Sequence, residues 1–199
     1  MNVKRTKHAD RSEATRAALV AAARPLFAAR GFAGVGTEEI VRAAGVTRGA
    51  LYHQFADKQE LFAAVLEQLE AELAERVAQA AVDSGATDPL TALRAGSEAW
   101  LEACTEPEVQ RIALLDAPAV LGSERAREIG LRYGLGQVEA ALQAAIEAGQ
   151  LAPQPVRALA HVLIGAVDEA ALYIATAEDH ETARVEVGAV LDRLLSMLA

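Results

Sequence analysis

An all-α fold is predicted for this 199-residue chain by three observations. The apolar residues, 52% of the total, are mostly Ala and Leu rather than β-branched or aromatic types, a balance that suits helices better than strands. Val, Ile and Thr never alternate with polar residues for long, so the period-2 signature of a half-buried strand is missing from the sequence. Helix start and stop residues recur along the whole length. A chain of this size can bury roughly 70% of its unfolded surface, enough for one or two domains.

About nine helices follow in order. Ser12 is the expected cap of the first, whose Leu19, Ala23, Leu26 and Phe27 share a face and which stops at Gly31. After the Gly-rich link 31–36, Thr37 is expected to cap a short second helix, with Glu38 and Glu39 at its positive end and Gly45 beyond it. Thr47 caps a short third helix to about Phe55, and Asp57 with Glu60 reads as a capping pair for a long fourth, to about Val82. Asp88-Pro89 is a cap followed by proline in the first helical position. Pro107 begins a short helix expected to end near Asp116, before Pro118. Ser123 is expected to cap a helix closed by Gly149, with Gly130, Gly134 and Gly136 marking a kink or a close contact. Pro155 opens a helix to about Glu178, and Thr182 or its neighbours open the last, to Leu198.

Charge is divided along this series. Residues 1–58 carry ten Lys/Arg against five Asp/Glu, a net +5, whereas the remainder carries nine against 23, a net −14. A basic head on an acidic body suits a polyanion at one end only. That bias gains meaning from helices two and three, which with the turn at Gly45-Val46 form a helix-turn-helix. In Thr47-Arg48-Gly49-Ala50-Leu51-Tyr52-His53-Gln54-Phe55, Leu51 and Phe55 lie four apart and face inward. Gly49 and His53 occupy the opposite face, flanked by Tyr52, and Gly49 lets the backbone approach DNA closely. Arg48 is assigned outward by its place in the first turn.

The stretch from Thr37 to Leu61, TEEIVRAAGVTRGALYHQFADKQEL, preceded by Phe27-Ala28-Ala29-Arg30-Gly31-Phe32, resembles the TetR family of bacterial transcriptional regulators. The resemblance implies an N-terminal three-helix DNA-binding domain and a larger helical domain that dimerises and senses a small molecule. The boundary is placed between 57 and 58, giving domains 1–57 and 58–199. By position, the family's DNA contacts fall on Thr37, Thr47, Arg48, Gly49, Tyr52, His53 and Lys58. Gln54, where a second aromatic or His is common, and the small Ala50 depart from the pattern and bear on which operator is read. By chemistry, Lys58, Thr37 and Tyr52 suit phosphate contacts, and Arg48 suits guanine, with Thr47 and His53 secondary. For Tyr52 the competing reading is a half-buried packing residue. Lys4, Arg5, Lys7 and Arg11 form an arm that either touches the neighbouring groove or serves as a solubilising tail.

In the body, the last two helices are apolar on more than one side. Leu159, Val162, Leu163, Val167, Leu172 and Ile174 spread around one, and Val187, Leu191, Leu194 and Leu198 form a seam on the other. Pairing with a second copy in a four-helix bundle satisfies them, as does burial within one chain. A ligand cavity is expected among the helices from Leu90 to Ile146, with Trp100, Cys104, Tyr133 and His161 as candidate lining and Asp168 as a group for a cationic ligand or an interface pair. One cysteine, Cys104, allows no internal disulfide or cysteine zinc cage, and His8, His53, His161 and His180 are dispersed. The expectation is therefore a cytoplasmic, ligand-responsive repressor with no cofactor, no metal, no catalysis and no membrane span. It would bind a near-palindromic double-stranded operator as a homodimer and be released by a small-molecule effector. A dimeric helical adaptor that does not bind DNA is the alternative.

Overall fold

The computed structural model describes residues 3–198, with side chains from Arg11 onward. It consists of α1 (Val3–Arg30), α2 (Thr37–Ala43), α3 (Arg48–Gln54), α4 (Lys58–Asp83), α5 (Pro89–Ala103), α6 (Pro107–Val109), a π-helical turn (Gln110–Asp116), α7 (Ala117–Leu121), α8 (Ser123–Glu147), α9 (Val156–Thr176) and α10 (His180–Leu198). There is no strand among the described residues, and with the continuous run 107–121 taken as one the helical segments number nine.

Several helix ends are where capping chemistry puts them. Thr47 Oγ1 accepts from the Ala50 N–H at 3.2 Å, Asp57 accepts from Glu60 N–H at 2.9 Å, and Asp88 accepts from Thr91 N–H at 2.9 Å ahead of Pro89. Gly31, Gly45 and Gly149 take positive φ at the ends of their helices.

Other ends differ from the sequence expectation. Ser12 lies inside α1, which begins at Val3, and its hydroxyl accepts from Gln54 Nε2 at 2.8 Å. Gly36 and Gly122 occupy the cap positions, so Thr37 and Ser123 are first helical residues. The last helix, by contrast, opens among the neighbours of Thr182 as expected: it begins at His180, with Asp179 accepting from Thr182 N–H at 3.0 Å. Pro118 does not end its helix. The Ala117 N–H reaches Ile112 O, five residues back, and this wider register carries the chain past a residue that has no N–H to donate.

α4 is the spine. Its first half packs on α1, and the helix lies against α5 and α8. Phe27, Phe32 and Phe62 meet at the head with ring centroids 5.3–5.9 Å apart. The apolar core around them includes Leu51 and Phe55 and continues without a break into the body through Ala103, Cys104, Val109, Ile112 and Ile129. The proposed boundary at 57/58 falls at the start of α4, and the core crosses it. Polar ties cross it as well: Arg24 pairs with Glu108 at 2.9 Å and Glu72 at 2.6 Å, and Phe32 N–H donates to Asp116 at 2.6 Å.

Candidate DNA-binding surface and effector cavity

The head presents α3 as a short rod. Leu51 is completely buried and Phe55 nearly so, while Arg48, Gly49, Tyr52 and His53 are all exposed. Tyr52 keeps 45% of its surface, which favours the contact role over the packing one. Nothing nearer than Thr47 Oγ1 at 3.9 Å meets a Cβ built on Gly49, so the helix surface there is open to a close neighbour. Thr47 is exposed; its hydroxyl oxygen accepts the Ala50 N–H as the cap of α3, and its O–H is left to donate.

Two further expected DNA contacts, Arg48 and Lys58, are engaged within the chain. Arg48 Nη1 donates to Glu38 at 2.6 Å, and its guanidinium lies 5.6 Å from the centre of the Tyr52 ring. The pair is solvent-exposed, worth little in isolation, and separable when a better acceptor arrives. Lys58 is held more firmly. Its ammonium donates to Phe32 O and Val35 O, both at 2.9 Å, and sits 3.9 Å from the centre of the Phe32 ring. Partial burial holds its pKa below the usual lysine value. One of its three N–H donors is left for another acceptor. Thr37, half-buried, opens α2 beside this turn. The side chains of Lys4, Arg5 and Lys7 lie outside the described residues; Arg11 is exposed on α1.

In the body, α4, α5, α8, α9, α10 and the 107–121 run enclose a cavity of about 650 Å³, a size suited to a drug-sized molecule. Its lining is mostly Ala, Leu, Val and Gly, with Trp100 and Tyr133 as the aromatic members. The other two expected lining residues are elsewhere. Cys104 is at the C-cap of α5 and completely buried in the core, where burial raises its thiol pKa. His161 follows Ala160, which is packed with Leu142 and Ala145 in a separate apolar cluster, and the cavity begins beyond it at Leu163.

Three charged residues line the cavity: Glu70, Arg127 and Asp168. Asp168 lies 3.7 Å from Arg127, and burial pushes its pKa up to about 6 against the pull of that arginine. Glu70 has no hydrogen-bond or ion-pair partner among the described residues, and burial, reinforced by the charge of Asp168, pushes it up to about 7. Its carboxyl rests over Gly130, 3.8 Å from where a Cβ would stand. Glu70 was missed at the sequence level. The signal was available: Leu66, Glu70, Leu73 and Val77 lie on one face of α4, and a carboxylate in a buried stripe marks a special environment.

Residues 90–198 match the family model of the tetracyclin repressor-like C-terminal domain, and residues 19–65 match that of the tetR family of bacterial regulatory proteins. The chain belongs to the TetR family. A crystal structure of a TetR-family transcriptional regulator from Pectobacterium atrosepticum is 38% identical, with a TM-score of 0.83 over 95% of this chain and 96% of that one. The Transposon Tn10 TetC protein of Escherichia coli is 29% identical over 77% of this chain and 76% of its own length. The HTH-type transcriptional regulator TtgR of Pseudomonas putida is 39% identical over 92 residues, 46% of this chain and 42% of the relative.

This TetR-family protein is therefore a helix-turn-helix, ligand-responsive transcriptional regulator, and the adaptor that ignores DNA is not favoured. Proteins of the family are soluble and typically dimerise. In this chain α9 is a 21-residue helix apolar enough to cross a membrane by length and composition, and 22% buried over its most apolar window. Val162, Leu172 and Tyr173 on α9, with Val190, Leu194 and Met197 on α10, are left exposed in a single chain.

Proposed function

We propose that this regulator is a cytoplasmic, non-catalytic repressor that binds a near-palindromic operator as a homodimer through the exposed face of α3 and is released when a small molecule fills the body cavity. The observation that carries the reading is the pairing of an open, rod-like α3 surface with a cavity whose lining touches the segment holding the head. Ala113, Leu114, Ala117 and Pro118 line the cavity, while Asp116 between them binds the Phe32 N–H at the turn after α1. An effector that displaces this segment changes the position of the head, and the shift in operator affinity is matched by an equal shift in effector affinity.

The roles on the DNA side follow from the geometry. Arg48 leaves Glu38 to read a guanine, with Thr47 and His53 beside it, and Gly49 lets the backbone approach. Tyr52, Thr37 and the remaining N–H of Lys58 contact phosphates and fix the register. α9 and α10 pair with their copies across a twofold axis, so that two α3 helices enter successive major grooves about one helical turn apart.

Duplexes selected from a random pool by the purified chain, followed by gel shift, test this. The expected result is an inverted repeat bound by a dimer in light scattering. Arg48→Ala should weaken binding by about 1–3 kcal/mol and relax selection at one base pair in each half-site. A monomer that retains no duplex at low salt overturns the reading.

A further inference from the structure

The charge inventory of the cavity is unbalanced, and this deepens the effector reading above, on which it rests. Among its lining residues one guanidinium, Arg127, stands against two carboxyls, Glu70 and Asp168. Arg127 stands beside Asp168 at 3.7 Å, which leaves Glu70 unmatched. Glu70 is half-buried, projects from α4 over Gly130 into the cavity, and finds no donor among the described residues. An ionised carboxylate withdrawn from water without a partner is costly, so it either holds its proton or takes a cationic partner. Around it the lining is apolar, and Trp100 and Tyr133 offer ring faces, the other surface that attracts a cation. An anionic ligand would meet two carboxyls and one guanidinium that Asp168 already faces. A neutral apolar ligand would bury Glu70 further without supplying the missing donor.

We propose that the effector is a lipophilic organic cation, its positive centre paired with Glu70 and its apolar body against the Ala- and Leu-rich wall near Trp100. The cation then supplies the partner that favours the ionised form of Glu70. Glu70 stands on α4, the helix that begins at the Lys58 anchor of the head.

Three compounds of related shape separate the possibilities: tetraphenylphosphonium, the neutral triphenylphosphine oxide and the anionic tetraphenylborate. Binding to the full chain is read by calorimetry and by the fluorescence of Trp100, the sole tryptophan. The phosphonium should bind about tenfold or more tighter than the oxide, the borate weakest. Glu70→Gln should remove about tenfold of phosphonium affinity and leave the oxide within about threefold. Equal binding of phosphonium and oxide, preference for the borate, or an unchanged phosphonium affinity in Glu70→Gln overturns the proposal. The ranking by the unaltered chain decides even if the variant does not fold. A chain that prefers the cation but retains no duplex overturns the regulator reading instead. One that retains its operator and prefers the neutral compound overturns this inference alone.

Discussion

At the scale of single residues, the polar groups of the head perform structural and recognition tasks with the same atoms. Thr47 caps α3 through its hydroxyl oxygen and keeps the O–H for a base, and Lys58 spends two donors on the carbonyls of Phe32 and Val35. Removing Lys58 should therefore show two separable effects. Lys58→Ala should lower thermal stability, because hydrogen bonds from a charged donor contribute about 1.5–3 kcal/mol where they are partly buried. It should also weaken binding to all duplexes alike and reduce the slope of log affinity against log salt by about 0.9. A changed melting temperature with an unchanged slope would leave Lys58 as an anchor alone. The motif made Lys58 visible in the sequence, but not the turn around its ammonium, since Phe32 and Val35 are 26 and 23 residues away.

At the scale of the element, α8 shows how a glycine can have two readings. Three glycines in one helix suggest a kink or a close approach, and a Gly inside a helix costs about 0.5–1 kcal/mol relative to Ala. The positions prove unequal. A Cβ at Gly130 would meet the Glu70 carboxyl at 3.8–3.9 Å, an ordinary contact, whereas one at Gly134 or Gly136 meets nothing within 4 Å. Gly134→Ala should accordingly stabilise the ligand-free protein by about 0.5–1 kcal/mol, raising the melting temperature by about 1–4 °C. Since Gly134 lines the cavity, the same change should weaken effector binding, an outcome calorimetry separates from the gain in stability. The 107–121 run carries the other lesson at this scale. Proline ended a helix in the sequence reading, and the chain instead absorbed Pro118 by widening one turn.

At the scale of the whole molecule, stability and sensing are coupled through two carboxyls that line one cavity. Glu70 on α4 faces Asp168 on α9, which in turn faces Arg127 on α8, and the buried Cys104 thiol at the end of α5 lies in the same field. Glu70 titrates near 4.5 when unfolded and near 7 when folded, so between those values the folded state holds the extra proton. Its contribution is then fully favourable below about pH 4.5 and is lost as pH rises through about 7; Asp168 adds a loss centred near 6. The ligand-free protein should thus lose up to about 3 kcal/mol from Glu70 between pH 4.5 and 8 relative to Glu70→Gln. Melting curves of the two proteins at pH 4.5 and pH 8 check this: they should nearly coincide at the lower pH, with the variant several degrees more stable at the higher. Equal melting temperatures at pH 8 would show that Glu70 is solvated and its site open.

Local chemistry sufficed for what is decided within a few residues. The helix caps at Thr47, Asp57 and Asp88, the stops at Gly31, Gly45 and Gly149, the inward Leu51 and Phe55, and the outward face of α3 all follow from short-range spacing. The charge split and the motif from Thr37 to Leu61 made the family legible as well. Tertiary structure alone decided the rest, because it depends on which distant helices meet. Cys104 went into the core and His161 past the end of the cavity, while Glu70 and Asp168, 98 positions apart, were brought to one apolar enclosure. Periodicity identifies which side of a helix is buried; only packing determines whether that side meets another helix or an empty space shaped for a ligand.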